Sequence, residues 1–148
     1  MPAVTDPATV AAIRAAVETI VPPTDGSPGG ADLGVERHVV EQLDKLTPGL
    51  PDLVGALLDA FAADVRPGAS FVQLDLEDRG RVIRAMGEEE AQDIREAVSA
   101  IFVFTLGGAY SEWSGYDRTS GRLDPPASWT DLGYPGPVLG HPDYRRDA

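Results

Sequence analysis

The chain has 148 residues, 24 of them acidic and 12 basic, and a formal net charge of −12. That length is one ordinary domain, able to bury roughly two-thirds of the surface its unfolded chain exposes. The acidic balance argues against nonspecific binding to DNA, RNA or an anionic membrane, and suits a partner with a basic face. There is no cysteine, which excludes a disulfide framework, thiol chemistry and thiolate metal sites.

No stretch reaches the roughly 20 apolar residues needed to span a bilayer. The start, MPAVTDPATV, has neither a basic region nor a twin arginine. A cytoplasmic location is therefore the expectation, with export inside a complex as the alternative.

Asp6 before Pro7 is a helix start: the carboxylate caps free amides and proline fits the first helical position. Val10, Ile13, Val17, Ile20 and Val21 recur at three- and four-residue spacing, so the first helix is expected to run to about Val21. Pro22 and Pro23 stop it. The polar loop TDGSPGGADLG follows. Its Asp25 and Asp32 lack the spacing of a calcium loop and are expected to cap turns. A second helix is predicted from Val35 to Leu46, and a third from Leu50 to Val65 with Gly55 inside it. Gly55 costs about 1 kcal/mol relative to alanine, and close helix packing is its expected use.

Asp75, with Asp78 three residues on, is a capping arrangement for a fourth helix through Leu76, Val82, Ile83 and Met86. Phe71 or Leu74 is expected to staple its entrance. A fifth helix is predicted from Glu89 to Leu106. It is apolar nearly all round toward its end, which marks the central helix of a bundle. Gly107 and Gly108 are expected to loosen or end it.

Residues 110–148 are different. Every tryptophan and tyrosine lies there: Tyr110, Trp113, Tyr116, Trp129, Tyr134 and Tyr144. Glycine and proline break any regular period, yet disordered tails lack aromatics. These rings belong either to the protein's own core or to a partner. The expected architecture is thus all-α: a compact bundle of about five helices over 1–109, and a long irregular arm over 110–148 packed on that bundle or on a partner.

No catalytic set stands out. His38 and His141 lie on different elements, and neither forms an HExxH or other ligand spacing. Ser111 and Ser114 lack a nucleophile elbow. Gly29–Gly30 and Gly107–Gly108 lack the setting of a phosphate loop. The carboxylates offer no distinctive acid–base pair. Arg145 and Arg146 are too few for a nucleic-acid patch. An acidic helical body with an aromatic arm favours an interaction function over an enzyme.

Three stretches resemble one family. Ile20-Val21-Pro22-Pro23-Thr24-Asp25, with Leu33-Gly34-Val35 beyond the glycine-rich turn, is similar to its first-helix exit. Phe71-Val72-Gln73-Leu74 leading into Asp78-Arg79 is the second. Trp129-Thr130-Asp131-Leu132-Gly133-Tyr134-Pro135-Gly136-Pro137 resembles its terminal W…LGYPGP motif. The family is the small (gamma) subunit of bacterial gluconate 2-dehydrogenase, also called subunit 3, with the related small subunit of FAD-dependent glucose dehydrogenase.

The resemblance implies a non-catalytic accessory subunit. It implies no cofactor in this chain, FAD in a large partner of the glucose–methanol–choline type, and a cytochrome subunit reached only indirectly. Nucleic acid and direct membrane insertion are not expected. The lack of a catalytic set and the terminal motif together assign Trp129, Leu132, Tyr134, Pro135, Pro137, His141 and Tyr144 to partner binding, while Trp113 and Tyr116, nearest the last helix, are assigned to the core. Many relatives carry a twin-arginine signal and cysteines, and this chain has neither. The alternatives are a standalone helical scaffold or homo-oligomeric binding protein, and an enzyme in its own right.

Overall fold

A computed structural model describes residues 5–111, 115–117 and 119–134. Five helices form the body: α1 Pro7–Ile20, α2 Val35–Leu46, α3 Leu50–Val65, α4 Leu76–Glu88 and α5 Gln92–Tyr110. A 3-10 turn, Phe71–Gln73, precedes α4. After α5 come a two-residue antiparallel ladder, β1 Tyr116–Asp117 with β2 Arg122–Leu123, and a short helix, α6 Ala127–Asp131. The all-α bundle is as expected; the ladder, the 3-10 turn and α6 are additions to it.

The local chemistry of the starts holds. The Asp6 carboxylate accepts from the Ala8 amide at 3.0 Å, and Asp75 accepts from the Asp78 amide at 2.9 Å. Helices α2 and α3 have the predicted bounds. Leu74 and Phe71 are both buried beside the entrance of α4.

Helix α5 departs from expectation at both ends. Glu89 is the extended C-cap of α4, with ψ 145°, so the acidic run closes one helix and does not open the next. At the other end the helix continues through both glycines to Tyr110. A Cβ on Gly108 would stand 2.7 Å from Val35 Cγ1 and 3.0 Å from His38 Cδ2. Its missing side chain lets α5 close on α2, and helical hydrogen bonding survives.

Nor is α5 the central helix. That place belongs to α1, which packs against α2, α3, α4, α5 and the 3-10 turn. Its Ala12, Ile13, Ala15, Ala16 and Val17 are all buried, and small residues let neighbours approach from several sides. Gly55 of α3 meets it closely: a Cβ there would lie 3.2 Å from Thr9 Cγ2. The core continues through Val35, Val39, Leu43, Val54, Leu58, Phe71, Val82, Met86 and Ile101.

Arg79 clamps the layers. It donates to Glu18 of α1 at 2.8 Å and to the carbonyl of Val72 at 2.8 Å, and its guanidinium lies over the Phe71 ring, 6.0 Å from the centroid. Arg14 pairs with the buried Glu36 of α2 at 2.8 Å.

The start of α5 is the weakest cap in the body. Ala91 occupies the N-cap with no side-chain hydrogen bond. Ala91→Ser is expected to stabilise the protein by about 1 kcal/mol, because a hydroxyl satisfies one orphan amide of the first turn. Chemical denaturation checks this; an unchanged midpoint would show that the first turn is already satisfied.

Candidate partner-binding surface

The terminal motif folds as a small unit of its own. Pro126 precedes α6, and the helix ends at Asp131. Gly133 takes a left-handed conformation, φ 64°, which a side chain would resist. The Tyr134 amide then donates back to the Trp129 carbonyl at 2.8 Å, and the Gly133 amide to the Thr130 carbonyl at 3.1 Å. This pair of bonds is a Schellman motif. The hydrophobic contact that accompanies such a motif is the Tyr134 ring, edge-on to Trp129 with centroids 5.1 Å apart and planes at 89°. Tryptophan, glycine and tyrosine at these positions are thus a helix stop with its own aromatic clasp.

The unit docks on the C-terminal end of α5 and on the loop after α1. The Asp131 carboxylate accepts a short hydrogen bond from the Ser27 hydroxyl. A cavity of about 100 Å³ lies at this junction, lined by Val21, Pro22, Leu33, Ala109, Ser128 and Asp131 among others. The loop itself is tightly folded. The Gly30 amide donates to the Val21 carbonyl at 2.8 Å and the Val35 amide to the Gly30 carbonyl at 3.1 Å. A Cβ on Gly30 would press on Val17 Cγ1 at 2.8 Å. Asp32 caps this turn by accepting from the Gly29 amide at 2.9 Å. Ser27 and Asp131, 104 residues apart, therefore meet, and spacing along the chain carried no sign of it.

The partner-binding candidates divide. Trp129 is only 6% exposed in the isolated chain. Leu132, 64% exposed, and Tyr134, 48% exposed, face outward at the same end of the body. Pro135, Pro137, His141 and Tyr144 lie outside the described residues, as does Trp113. Tyr116, assigned to the core from its nearness to α5, is 50% exposed. The correction has a simple cause: Tyr116 lies on β1, which is exposed at both of its residues.

Chemistry is sparse in this region. Among the described residues no group of three or more His, Cys, Asp or Glu is placed to hold a metal ion. The Asp117 carboxyl is held below its ordinary value by the Ser120 hydroxyl and the Thr119 amide, which makes it an ionised turn carboxylate and a poor proton donor. His38 lies against Gly108 in the α2–α5 contact. No described helix is long and apolar enough to cross a membrane.

The family model for gluconate 2-dehydrogenase subunit 3 matches residues 7–136. The chain belongs to that family. Subunit 3 proteins of this family are accessory subunits of FAD-dependent dehydrogenase complexes. No curated protein and no solved structure matches the chain. The subunit 3 match runs from the first residue of α1 to just beyond the clasp on α6. The three stretches that carry the resemblance all fall at joints: the α1 exit, the 3-10 turn under Arg79, and the clasp.

Proposed function

We propose that this chain is the non-catalytic small subunit of a large FAD-dependent dehydrogenase of the glucose–methanol–choline type, which oxidises an alcohol group of a sugar or sugar acid. The observation that carries this reading is the family match over 7–136. Exposed Leu132 and Tyr134, placed by the clasp, support it as anchors for the partner. Rigid aromatic and aliphatic anchors lose little conformational entropy on docking. FAD belongs to the large subunit, and any cytochrome receives electrons from that subunit. The net charge of −12 speeds encounter with a basic face on the large subunit.

The test is co-expression with a large FAD-dependent dehydrogenase of the glucose–methanol–choline type from the same organism. A yellow complex that survives size-exclusion chromatography is expected, with soluble large subunit reduced at least about fivefold when this chain is withheld. That ratio corresponds to about 1 kcal/mol of stabilisation of the large subunit. A large subunit that is equally soluble, equally active and never co-elutes with this chain would overturn the reading. A homodimer of this chain that ignores the flavoprotein would favour a standalone scaffold.

A further inference from the structure

Helix α5 has two apolar faces. Ala97, Val98, Ile101, Thr105, Gly108 and Ala109 are buried against the body. On the opposite side Phe102, Val103, Leu106 and Tyr110 are exposed, Val103 to 63%. Their spacing of three and four residues makes one stripe, about 12 Å long at 1.5 Å per residue. Residues 97–111 contain no charged side chain, in a chain where 24% of residues are charged. Gly107 lies in the same stripe, and a Cβ there would meet nothing within 4 Å. A solvated helix face gains nothing from this composition, and an exposed helical glycine is less favourable than alanine.

At Phe102 the stripe opens into a groove of about 510 Å³ between α4 and α5 with the end of α1 beneath, lined by Ile20, Gly80, Ile83, Arg84, Gly87 and Val98 among others. Gly80 and Gly87 are seven residues apart on α4, and a Cβ on either would meet nothing within 4 Å. Neither is required by packing among the described residues. Together they lower the floor of an apolar channel, which is the shape that admits a helix between two helices.

We propose that this face of α4 and α5 seats an amphipathic helix of the large flavoprotein subunit, with an apolar side toward Phe102, Val103 and Leu106 and with lysine or arginine at its ends. The docking rests on the accessory-subunit reading above. Charge selects the occupant. Residues 88–96, at the N-terminal end of the stripe, hold five carboxylates and one arginine. Asp131 stands at the other end, lining the same cavity as Tyr110. A second copy of this chain would set one body of charge −12 against another and bring acidic surroundings to the same contact. A helix with basic ends gains at both termini of the stripe.

The experiment titrates the purified, FAD-loaded large subunit that this chain is tested with above, using wild-type protein, the double variant Val103→Glu/Leu106→Glu, and Gly87→Leu. All three substituted positions are exposed, so the melting temperature of the isolated variants is expected to stay within about 3 °C of wild type. The double variant is expected to bind at least about tenfold more weakly, and Gly87→Leu, which fills the channel, to weaken binding similarly. Wild-type affinity in both variants, beside normal binding by the wild type, would overturn this docking face and leave the accessory function standing. No binding by the wild type would overturn the function and the face together. A wild-type homodimer that the double variant converts to monomer would make a second copy the occupant and overturn the proposal.

Discussion

Phe71→Ala is expected to destabilise the protein by about 3–5 kcal/mol, the range for truncating a fully buried phenylalanine. The ring is fully buried, although it sits on a three-residue 3-10 turn and not on a long helix. Its backbone amide donates to the Asp59 carboxylate of α3 at 2.8 Å. Arg79 of α4 lies over the ring and reaches Glu18 of α1. Phe71 therefore sits where α1, α3 and α4 meet, and removal of its ring leaves a void that several backbones must close around. A domain of ordinary stability has about 5–15 kcal/mol in total, so the variant loses about a fifth of it or more. The melting temperature should fall by roughly 10 °C or more. The neighbouring Val72 is exposed, and Val72→Ala should stay within about 1 kcal/mol of wild type. Thermal and urea denaturation followed by circular dichroism measure both. Equal midpoints for the two variants would show that the turn does not hold the bundle together.

Trp129→Ala is expected to act differently, with a large local effect and a small global one. Trp129 is buried but stands outside the main hydrophobic cluster of α1–α5. It is the platform of the clasp: Tyr134 packs edge-on against it. Truncation removes about 3 kcal/mol or more of packing from a five-residue helix, which has almost no stability of its own. Hydrogen-exchange protection over 127–134 is expected to vanish while the melting temperature of the body moves by only about 2–3 °C. Because Leu132 and Tyr134 follow α6 in the clasp, binding to the large subunit should weaken along with it. A global fall comparable to that of Phe71→Ala would instead make α6 an integral layer of the fold.

The helices were legible where local chemistry defines them. Asp6–Pro7, Pro48 and Pro67–Gly68 bound α1, α2 and α3, and the Asp75 carboxylate starts α4. These signals act within one turn of the backbone, so they need no tertiary context. The join of α4 and α5 was not legible. Glu88–Glu90 suit a helix start electrostatically, yet Glu89 turns extended and closes α4. Arg95 explains part of this, since its guanidinium donates to the carbonyls of Glu89 and Glu90.

Gly107–Gly108 carry a related lesson. Two glycines resemble a helix end, but the 2.7 Å approach of Val35 to a Cβ on Gly108 shows a contact that only the folded pair α2–α5 defines. The clasp was visible as a motif and invisible as a structure. The order Trp129, Gly133, Tyr134 specifies a Schellman stop, while the partner of Asp131, Ser27, lies across the fold.

The sequence by itself determined that this is an acidic, cysteine-free, all-α protein of the gluconate 2-dehydrogenase subunit 3 family, because charge, periodicity, caps and motifs are properties of the chain. Only the tertiary structure decided which apolar surfaces were covered. Periodicity shows that a face is apolar but not what packs on it. It therefore could not show that the small residues of α1 make that helix central, that Trp129 turns inward, or that the outer face of α5 is left open.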